Sequence, residues 1–151
     1  MKKRIMVVGP VQSGKSTLIN ALNDCILPLK KTQDVIYGRS TIDTPGAYLE
    51  NPGMYRYLIA LAQDASCVLI LVDQSRPVQV YPPGFAKVFN CPVVGVITKI
   101  DLAVQNAPRA REQLKRAGVF EPYFAISLPD NLGMADLKDY LFGLPETTAK
   151  K

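Results

Sequence analysis

The sequence predicts a three-layer α/β sandwich with a mostly parallel sheet of about six strands and about four to five helices. Short apolar runs alternate along the chain with segments in which apolar residues recur at helical spacing. Two of the runs, residues 68–72 and 93–97, are apolar on both faces, which is typical of central strands in a parallel sheet. Strands and helices that alternate in this way form a sheet with helices on both sides.

Each element has its own sequence signal. Strands are predicted at residues 4–8, 35–37, 40–42, 68–72, 93–97 and 123–126, the second and third forming a tight hairpin around Gly38-Arg39. Residues 82–84, Pro-Pro-Gly, start a loop or a short helix. Helices are predicted after Lys15, after the N-cap pair Asn51-Pro52, from Pro108 to Gly118, and over residues 133–142 up to Gly143. Their apolar stripes are Leu18, Leu22 and Cys25; Met54, Leu58, Leu61, Ala62 and Ala65; Ala110, Leu114 and Ala117; and Met134, Leu137 and Leu141.

Length and composition are those of one ordinary globular domain. The chain has 151 residues, of which 48% are hydrophobic, and we assign residues 1–145 to a single domain and 146–151 to a flexible tail. The net charge is +5, but the basic residues do not form one block. That distribution indicates solvated helix faces and an anion-binding site, and nucleic-acid binding is the least expected function because aromatic and basic residues do not interleave.

The histidine and cysteine content excludes several kinds of chemistry. The chain has no histidine, which excludes His general bases, Ser-His-Asp triads and most zinc sites. Cys25, Cys67 and Cys91 lack metal-binding spacing, and the last two adjoin apolar runs, which indicates buried thiols in a reducing compartment. No apolar run approaches the length of a membrane span. We therefore expect a cytoplasmic protein that does not enter the membrane.

A glycine-rich loop between the first strand and the first helix carries the clearest functional signal. It consists of Gly9, Pro10, Val11, Gln12, Ser13, Gly14, Lys15 and Ser16, followed by Thr17, and has the spacing of a phosphate-binding loop, or P-loop. Gly9 and Gly14 let the backbone approach phosphate oxygens, and the N–H groups at the helix start attract anions. Lys15 would reach the β- and γ-phosphates and Ser16 would bind Mg²⁺. The loop therefore predicts binding of a nucleoside triphosphate with magnesium.

A second phosphate-side motif, Asp43-Thr44-Pro45-Gly46, follows the predicted hairpin. A carboxylate at the end of a neighbouring strand can hold Mg²⁺, usually through a water molecule, so Asp43 is a predicted metal ligand. The N–H of Gly46 could contact the γ-phosphate and sense its loss.

Two further loops indicate which base is bound. Thr98-Lys99-Ile100-Asp101 follows a predicted central strand. The Asp101 carboxylate could accept hydrogen bonds from the N1–H and exocyclic amine of guanine, a donor pair that adenine lacks. Lys99 would lay its aliphatic stem over the purine, and backbone N–H groups near Ser127 and Leu128 would contact the base oxygen.

These motifs, in this order, resemble the small translation-factor-like GTPases over essentially the whole chain. The run Lys31-Thr32-Gln33 and residues 41–51 are similar to the EutP/PduV family, P-loop proteins encoded with bacterial microcompartments for ethanolamine and propanediol use. The resemblance implies a P-loop GTPase fold, GTP or GDP with Mg²⁺ as ligand, and a microcompartment shell or cargo protein as partner. It also implies that Thr32 is a switch residue that contacts Mg²⁺ and the γ-phosphate. Thr32 and Lys15 are therefore both predicted catalytic residues.

Several residues depart from the patterns of related GTPases. Ala47 stands where Ras-like proteins have a water-orienting glutamine, and alanine cannot orient water. Gln12 stands where potassium-activated relatives use asparagine, so its amide oxygen is a candidate K⁺ ligand and catalytic group. Thr98 replaces a common asparagine, and Leu128 a common alanine. We therefore expect slow hydrolysis unless Gln12, Glu50 or a partner residue completes the site.

Three functions remain open from the sequence. The first is a GTP-dependent switch with partner surfaces at residues 30–36 and 47–57. The second is a phosphotransferase of acetate kinase type, an activity with which members of the EutP family are described; Lys30, Lys31 or Arg56 would then bind the carboxylate. The third is a scaffold in which bound nucleotide only stabilises the fold.

Overall fold

A computed structural model describes residues 4–10, 14–22, 36–37, 41–44, 46, 49, 51–76, 81–127 and 132–142. The strands are β1 (Arg4–Val8), β2 (Ile36–Tyr37), β3 (Thr41–Asp43), β4 (Ala65–Asp73), β5 (Val93–Thr98) and β6 (Tyr123–Ala125). The α-helices with defined bounds are α1 (Lys15–Leu22), α2 (Tyr55–Leu61), α3 (Ala107–Arg116) and α4 (Met134–Phe142), and 3₁₀ turns cover Pro52–Met54, Ala62–Asp64, Phe85–Val88 and Val104–Asn106.

The six strands form one sheet in the order β2-β3-β1-β4-β5-β6. The pairs β3–β1, β1–β4, β4–β5 and β5–β6 are parallel, and only β2 runs antiparallel, against β3. The predicted hairpin is confirmed by the pairing of Ile36 with Asp43 and of Tyr37 with Ile42. Because five strands share one direction, their carboxyl ends lie at one edge of the sheet.

Two apolar clusters, one on each face of the sheet, confirm the three-layer architecture. Alternate residues of β4 point to opposite faces, with Val68 and Ile70 on one side and Leu69 and Leu71 on the other. The first face is covered by α2, the turn Phe85–Val88 and α3, and the second by α1 and α4. The apolar stripes predicted for the helices supply the buried contacts, among them Leu18, Leu58, Leu114 and Leu137.

The helix boundaries follow local sequence signals. The Asn51 side chain accepts a hydrogen bond from the N–H of Gly53 at 3.0 Å, so the predicted cap is present, although the first turn is 3₁₀. Helix α3 has Pro108 in its first turn and is followed by Gly118 with φ of +89°. Cys25 and Gly143, predicted at the ends of the first and last helices, lie outside the described residues.

One prediction about β4 was wrong, and one about the nearby cysteines is confirmed in part. Ala65, expected on the stripe of the second helix, begins β4, because its backbone pairs with Arg4 of β1 and this pairing outweighs the helix propensity of alanine. Cys67 and Cys91, expected to be buried, pack against the two apolar clusters and are half-buried. Desolvation nevertheless raises the pKa of the Cys67 thiol to about 12, with Cys91 adding to the shift, so this thiol stays protonated at neutral pH.

The described part of the chain contains no helix that is both long and apolar enough to cross a membrane.

Candidate nucleotide-binding site

The carboxyl edge of the sheet gathers the polar motifs that the sequence singles out. Gly9 follows β1 directly, Asp43 ends β3, Thr98 ends β5, and Ser127 lies two residues beyond β6. The fold thus brings the phosphate loop, the predicted metal ligand and the base loops to one edge. Ligands of parallel α/β sheets bind at this edge.

The phosphate loop is described at its two ends. Gly9 is buried and Pro10 half-buried, and Gly14 adopts φ of +92°, a conformation that favours glycine. The carbonyl of Gly14 accepts from the N–H of Leu18 at 3.0 Å, which starts α1 directly behind the loop. Val11, Gln12 and Ser13 lie outside the described residues. So does the side chain of Ser16, whose backbone lies in α1, while Thr17 is half-buried on the same helix.

Lys15, at the start of α1, and Asp43, at the end of β3, form a buried ion pair. The Nζ atom of Lys15 lies 2.9 Å from Oδ1 of Asp43, and each side chain is 7% exposed. These groups are the two that phosphate and a magnesium-bound water would engage, and they are already in contact. The strand order explains the contact, since β3 lies directly beside β1.

The segment after Asp43 is tied to the strand that leads into the phosphate loop. The buried hydroxyl of Thr44 donates to the carbonyl of Val7 at 2.8 Å. Gly46 is buried in helical backbone, whereas Pro45 and Ala47 lie outside the described residues, as do Thr32 and the rest of residues 23–35. The predicted contact of Thr32 with metal and phosphate therefore stays a prediction.

The loop that begins with Thr98-Lys99-Ile100-Asp101 contacts the phosphate loop through Thr98. Thr98 is buried, and its side chain packs against Gly14, where an added Cβ would lie 3.7 Å from Cβ of Thr98. Lys99 has φ of +59°, and its Nζ lies 3.0 Å from Oδ2 of Asp73 at the end of β4. The other oxygen of Asp73 accepts from the N–H of Ser75 at 2.9 Å and from its hydroxyl at 2.6 Å. A buried carboxylate therefore orients the lysine stem that is expected to cover the purine.

Asp101 is oriented by Ser127. The Ser127 hydroxyl donates to Oδ1 of Asp101 at 2.9 Å. The Asp101 residue is exposed, as a carboxylate awaiting a base would be. The N–H of Ser127 donates to the carbonyl of Leu132 at 3.0 Å, and the Leu132 N–H returns a bond of 2.9 Å. The N–H of Ser127 is therefore occupied within the loop, and Leu128, the other predicted donor, lies outside the described residues.

Three buried polar residues of the site were missed by the sequence reasoning: Asp73, Gln74 and Tyr81. The first two follow an apolar strand, a signal like that of Asp43 and Thr98, and could have been found. Tyr81 had no comparable signal. Its hydroxyl donates to the carbonyl of Leu71 at 2.5 Å and lies 3.4 Å from that of Val8, and burial raises its pKa. It braces the strand end from which the phosphate loop departs.

The chemistry of these residues fits a nucleoside phosphate with a divalent cation. Asp43 could supply a hard oxygen ligand for such a cation, and Lys15 could supply a positive charge for phosphate. Among the described residues, no three His, Cys, Asp or Glu side chains lie close enough together to hold a metal ion by themselves. A magnesium ion of the P-loop type does not need such a group, because phosphates and water supply most of its ligands.

Nearly the whole chain matches the model of a known protein family. The PduV-EutP family, described as "Ethanolamine utilisation - propanediol utilisation", matches residues 2–142. The chain belongs to the PduV-EutP family. The resemblance stated from the sequence is thereby confirmed.

Relatives named in the family are similar over nearly their full length. The propanediol utilization protein PduV of Citrobacter freundii is 36% identical over 140 residues, which cover 92% of this chain and 93% of the relative. The probable acetate kinase EutP of Escherichia coli (strain K12) is 33% identical over 144 residues, covering 94% and 91%. Members of the PduV-EutP family thus carry two different functional names.

Solved structures confirm the P-loop GTPase fold. Era of Aquifex aeolicus, crystallised with GDP and AlF₄⁻, superposes with a TM-score of 0.65 at 25% identity. The match covers 97% of this chain and 60% of that one. A bacterial selenocysteine-specific elongation factor, EF-Sec, gives a TM-score of 0.67 at 23% identity, over 97% of this chain and 29% of the factor. The chain therefore corresponds to a part of these larger proteins.

Proposed function

We propose that this PduV-EutP protein binds GTP and GDP with Mg²⁺ and acts as a slow GTPase switch associated with a bacterial microcompartment of the ethanolamine or propanediol type. The observation that supports this most directly is the convergence of the Lys15–Asp43 pair and the Asp101–Ser127 pair on one edge of the sheet. The first pair would bind phosphate and metal, and the second pair would bind the base.

The phosphate side of the site works through charge and backbone. Lys15 would bind phosphate oxygens in place of Asp43, and the freed Asp43 carboxylate could then help to hold Mg²⁺. The metal neutralises charge on the phosphates once it is bound. Ser16 and Thr32 would also bind the metal. Thr32 and the N–H of Gly46 would contact the γ-phosphate.

Guanine selectivity rests on Asp101. Its carboxylate, held by Ser127, accepts from the paired N–H donors of guanine. Adenine offers no such pair and would cover the carboxylate without satisfying it, at a cost of about 1–3 kcal/mol or more for a charged group.

The test of this selectivity compares two aspartate variants. Asp101→Ala is expected to weaken GDP binding by ~100-fold or more, because the paired hydrogen bonds to the base are lost. Asp64→Ala removes another exposed aspartate, in the turn after α2, and is expected to bind GDP like the wild type. Both affinities are measured by isothermal titration with Mg²⁺ present. Equal affinities of the two variants would refute the role of Asp101.

As a switch, the protein would also have surfaces that bind a partner, and it would hydrolyse GTP slowly. GTP would hold Thr32 and Gly46 near the γ-phosphate, and hydrolysis would release the segments 30–36 and 47–57. In the proposal these segments contact a shell or cargo protein in the cytoplasm, and Ala47 leaves the attacking water without a side-chain partner. K⁺ held by Gln12 is the proposed compensation.

A phosphotransferase is the second candidate, because relatives at 33–34% identity are named as probable acetate kinases. The same phosphate loop would present the γ-phosphoryl group to acetate. Of the cations suggested for the carboxylate, Arg56 is exposed and lies over the ring of Tyr57, with 5.3 Å from Cζ to the centroid. Lys30 and Lys31 lie outside the described residues.

One assay separates the two activities. GTP or ATP is incubated with the protein under single-turnover conditions, with K⁺ or Na⁺, and with or without acetate. We expect hydrolysis of GTP at roughly 10⁻³ s⁻¹ or slower, since no side chain at position 47 orients water. Acetyl phosphate formed faster than inorganic phosphate would favour the kinase, and turnover of GTP near ~1 s⁻¹ without any partner would contradict the slow switch.

A further inference from the structure

Gln74, directly after β4, is joined by four hydrogen bonds to the loop that follows β5 and carries Asp101. Its backbone N–H donates to the carbonyl of Thr98 at 3.0 Å. Its side-chain Nε2 donates to the carbonyls of Ile100 at 3.1 Å and of Leu102 at 2.9 Å. Its own carbonyl accepts from Nδ2 of Asn106 at 3.1 Å. The four bonds span residues 98–106.

The side-chain amide of Gln74 fixes the backbone on both sides of Asp101. Ile100 and Leu102 are the neighbours of Asp101 in the chain, and their carbonyls accept from the same nitrogen. Gln74 is only 3% exposed, so its amide nitrogen is held in a buried place where an unmade hydrogen bond is costly. The buried amide of Gln74 thus fixes the peptide units on both sides of Asp101.

Such support matters because Asp101 itself is exposed. Burial does not restrict its carboxylate, which accepts a hydrogen bond from the hydroxyl of Ser127 on another loop. A recognition group on a loop binds tightly only if its backbone is already ordered, since ordering it during binding reduces affinity. Gln74 supplies that order from its position at the end of the central strand β4.

We infer that Gln74 is a positioning residue for guanine recognition, which acts through Asp101 and never touches the nucleotide. This inference rests on the proposed guanine-nucleotide function. It predicts that removing the amide of Gln74 weakens GDP binding only while the Asp101 carboxylate is present. A residue that merely stabilised the fold would weaken binding regardless of Asp101.

A double-mutant cycle tests the inference. Gln74→Met keeps the length of the side chain and removes both donors. In the otherwise wild-type protein it is expected to weaken GDP binding about tenfold. In the Asp101→Ala background the same substitution is expected to change GDP affinity by less than about twofold. Isothermal titration of GDP with Mg²⁺ gives all four affinities, and thermal melts report whether each variant is folded.

A second variant and a control keep the test decisive. Asn106→Ala removes the outer bond to the Gln74 carbonyl from a half-buried position, and is expected to weaken GDP binding about threefold, again only with Asp101 present. It decides the question if Gln74→Met does not fold. Tyr123→Phe removes a comparable bond, 2.7 Å from its hydroxyl to the carbonyl of Val119, at the amino end of β6. It is expected to leave GDP affinity unchanged.

The possible failures can be told apart. The inference would be overturned if Gln74→Met weakened GDP binding equally with and without Asp101. It would also be overturned if neither Gln74→Met nor Asn106→Ala weakened GDP binding in the otherwise wild-type protein. Both results would leave guanine binding intact. Equal affinity of the wild type for GDP and ADP would instead refute the proposed function, and the inference with it.

Discussion

At the scale of single residues, the contact between Lys15 and Asp43 has consequences for stability as well as for binding. Both side chains are 7% exposed and 2.9 Å apart, so each compensates a charge that water scarcely reaches. A buried pair adds little net stability over apolar residues, but removing Lys15 takes from the buried Asp43 the cation that lies in contact with it. Because either charge alone is unfavourable in the buried state, the two residues should behave as a unit in the absence of nucleotide.

Lys15→Met is therefore expected to destabilise the nucleotide-free protein by about 3 kcal/mol. The double variant Lys15→Met/Asp43→Leu, which removes both charges, is expected to recover a large part of that loss. The control is Lys87→Met, at an exposed lysine of the turn Phe85–Val88, with an expected change within about 0.5 kcal/mol. Urea denaturation measures all three. Similar losses for Lys15→Met and Lys87→Met would show that the buried pair does not contribute as described.

At the scale of elements, the loop between β6 and α4 is closed by a specific backbone geometry. Ser127 and Leu132 exchange two backbone hydrogen bonds, and the next residue, Gly133, adopts φ of +79° before α4 begins. A Cβ at Gly133 would lie 2.2 Å from the carbonyl oxygen of Ala125. Since that oxygen belongs to strand backbone, it cannot move away cheaply. The glycine thus allows the loop to return to the sheet and hold Ser127 beside Asp101.

Two glycine variants separate this steric effect from the cost of a positive φ. Gly84 has φ of +73°, but an added Cβ would come no closer than 3.8 Å to its nearest neighbour, on Lys87. Gly84→Ala is expected to cost about 1–2 kcal/mol for the left-handed backbone alone. Gly133→Ala is expected to cost a further ~2 kcal/mol or more from the steric conflict, and to weaken GDP binding. Urea denaturation and GDP titration measure both effects. Equal losses of stability in the two variants would contradict this account.

At the scale of the whole molecule, the sequence was sufficient for the architecture. Apolar runs of strand length placed β1, β4 and β5 to within a few residues, because buried parallel strands need side chains that are apolar on both faces. The polar groups that end those strands could then be assigned to one edge. Asp43 and Thr98 are found there because a parallel sheet places all carboxyl ends together.

What the sequence could not provide was the network behind the site. The bonds from Gln74 to residues 98–106 and from Asp73 to Lys99 depend on which strands are neighbours, and on a φ of +59° at Lys99 that no pattern announces. The start of β4 at Ala65 was missed for a related reason, since pairing with Arg4 is a tertiary contact. Local propensity carries no information about such partners.

The most direct test of guanine-nucleotide binding is the ratio of the dissociation constants of ADP and GDP for the wild-type protein, measured by isothermal titration with Mg²⁺. Both ligands offer the same phosphates to Lys15 and the phosphate loop, so the ratio isolates the contribution of the base and of Asp101. We expect a ratio of at least ~100, because adenine would leave the Asp101 carboxylate without hydrogen-bond donors. A ratio near ~1 would contradict it.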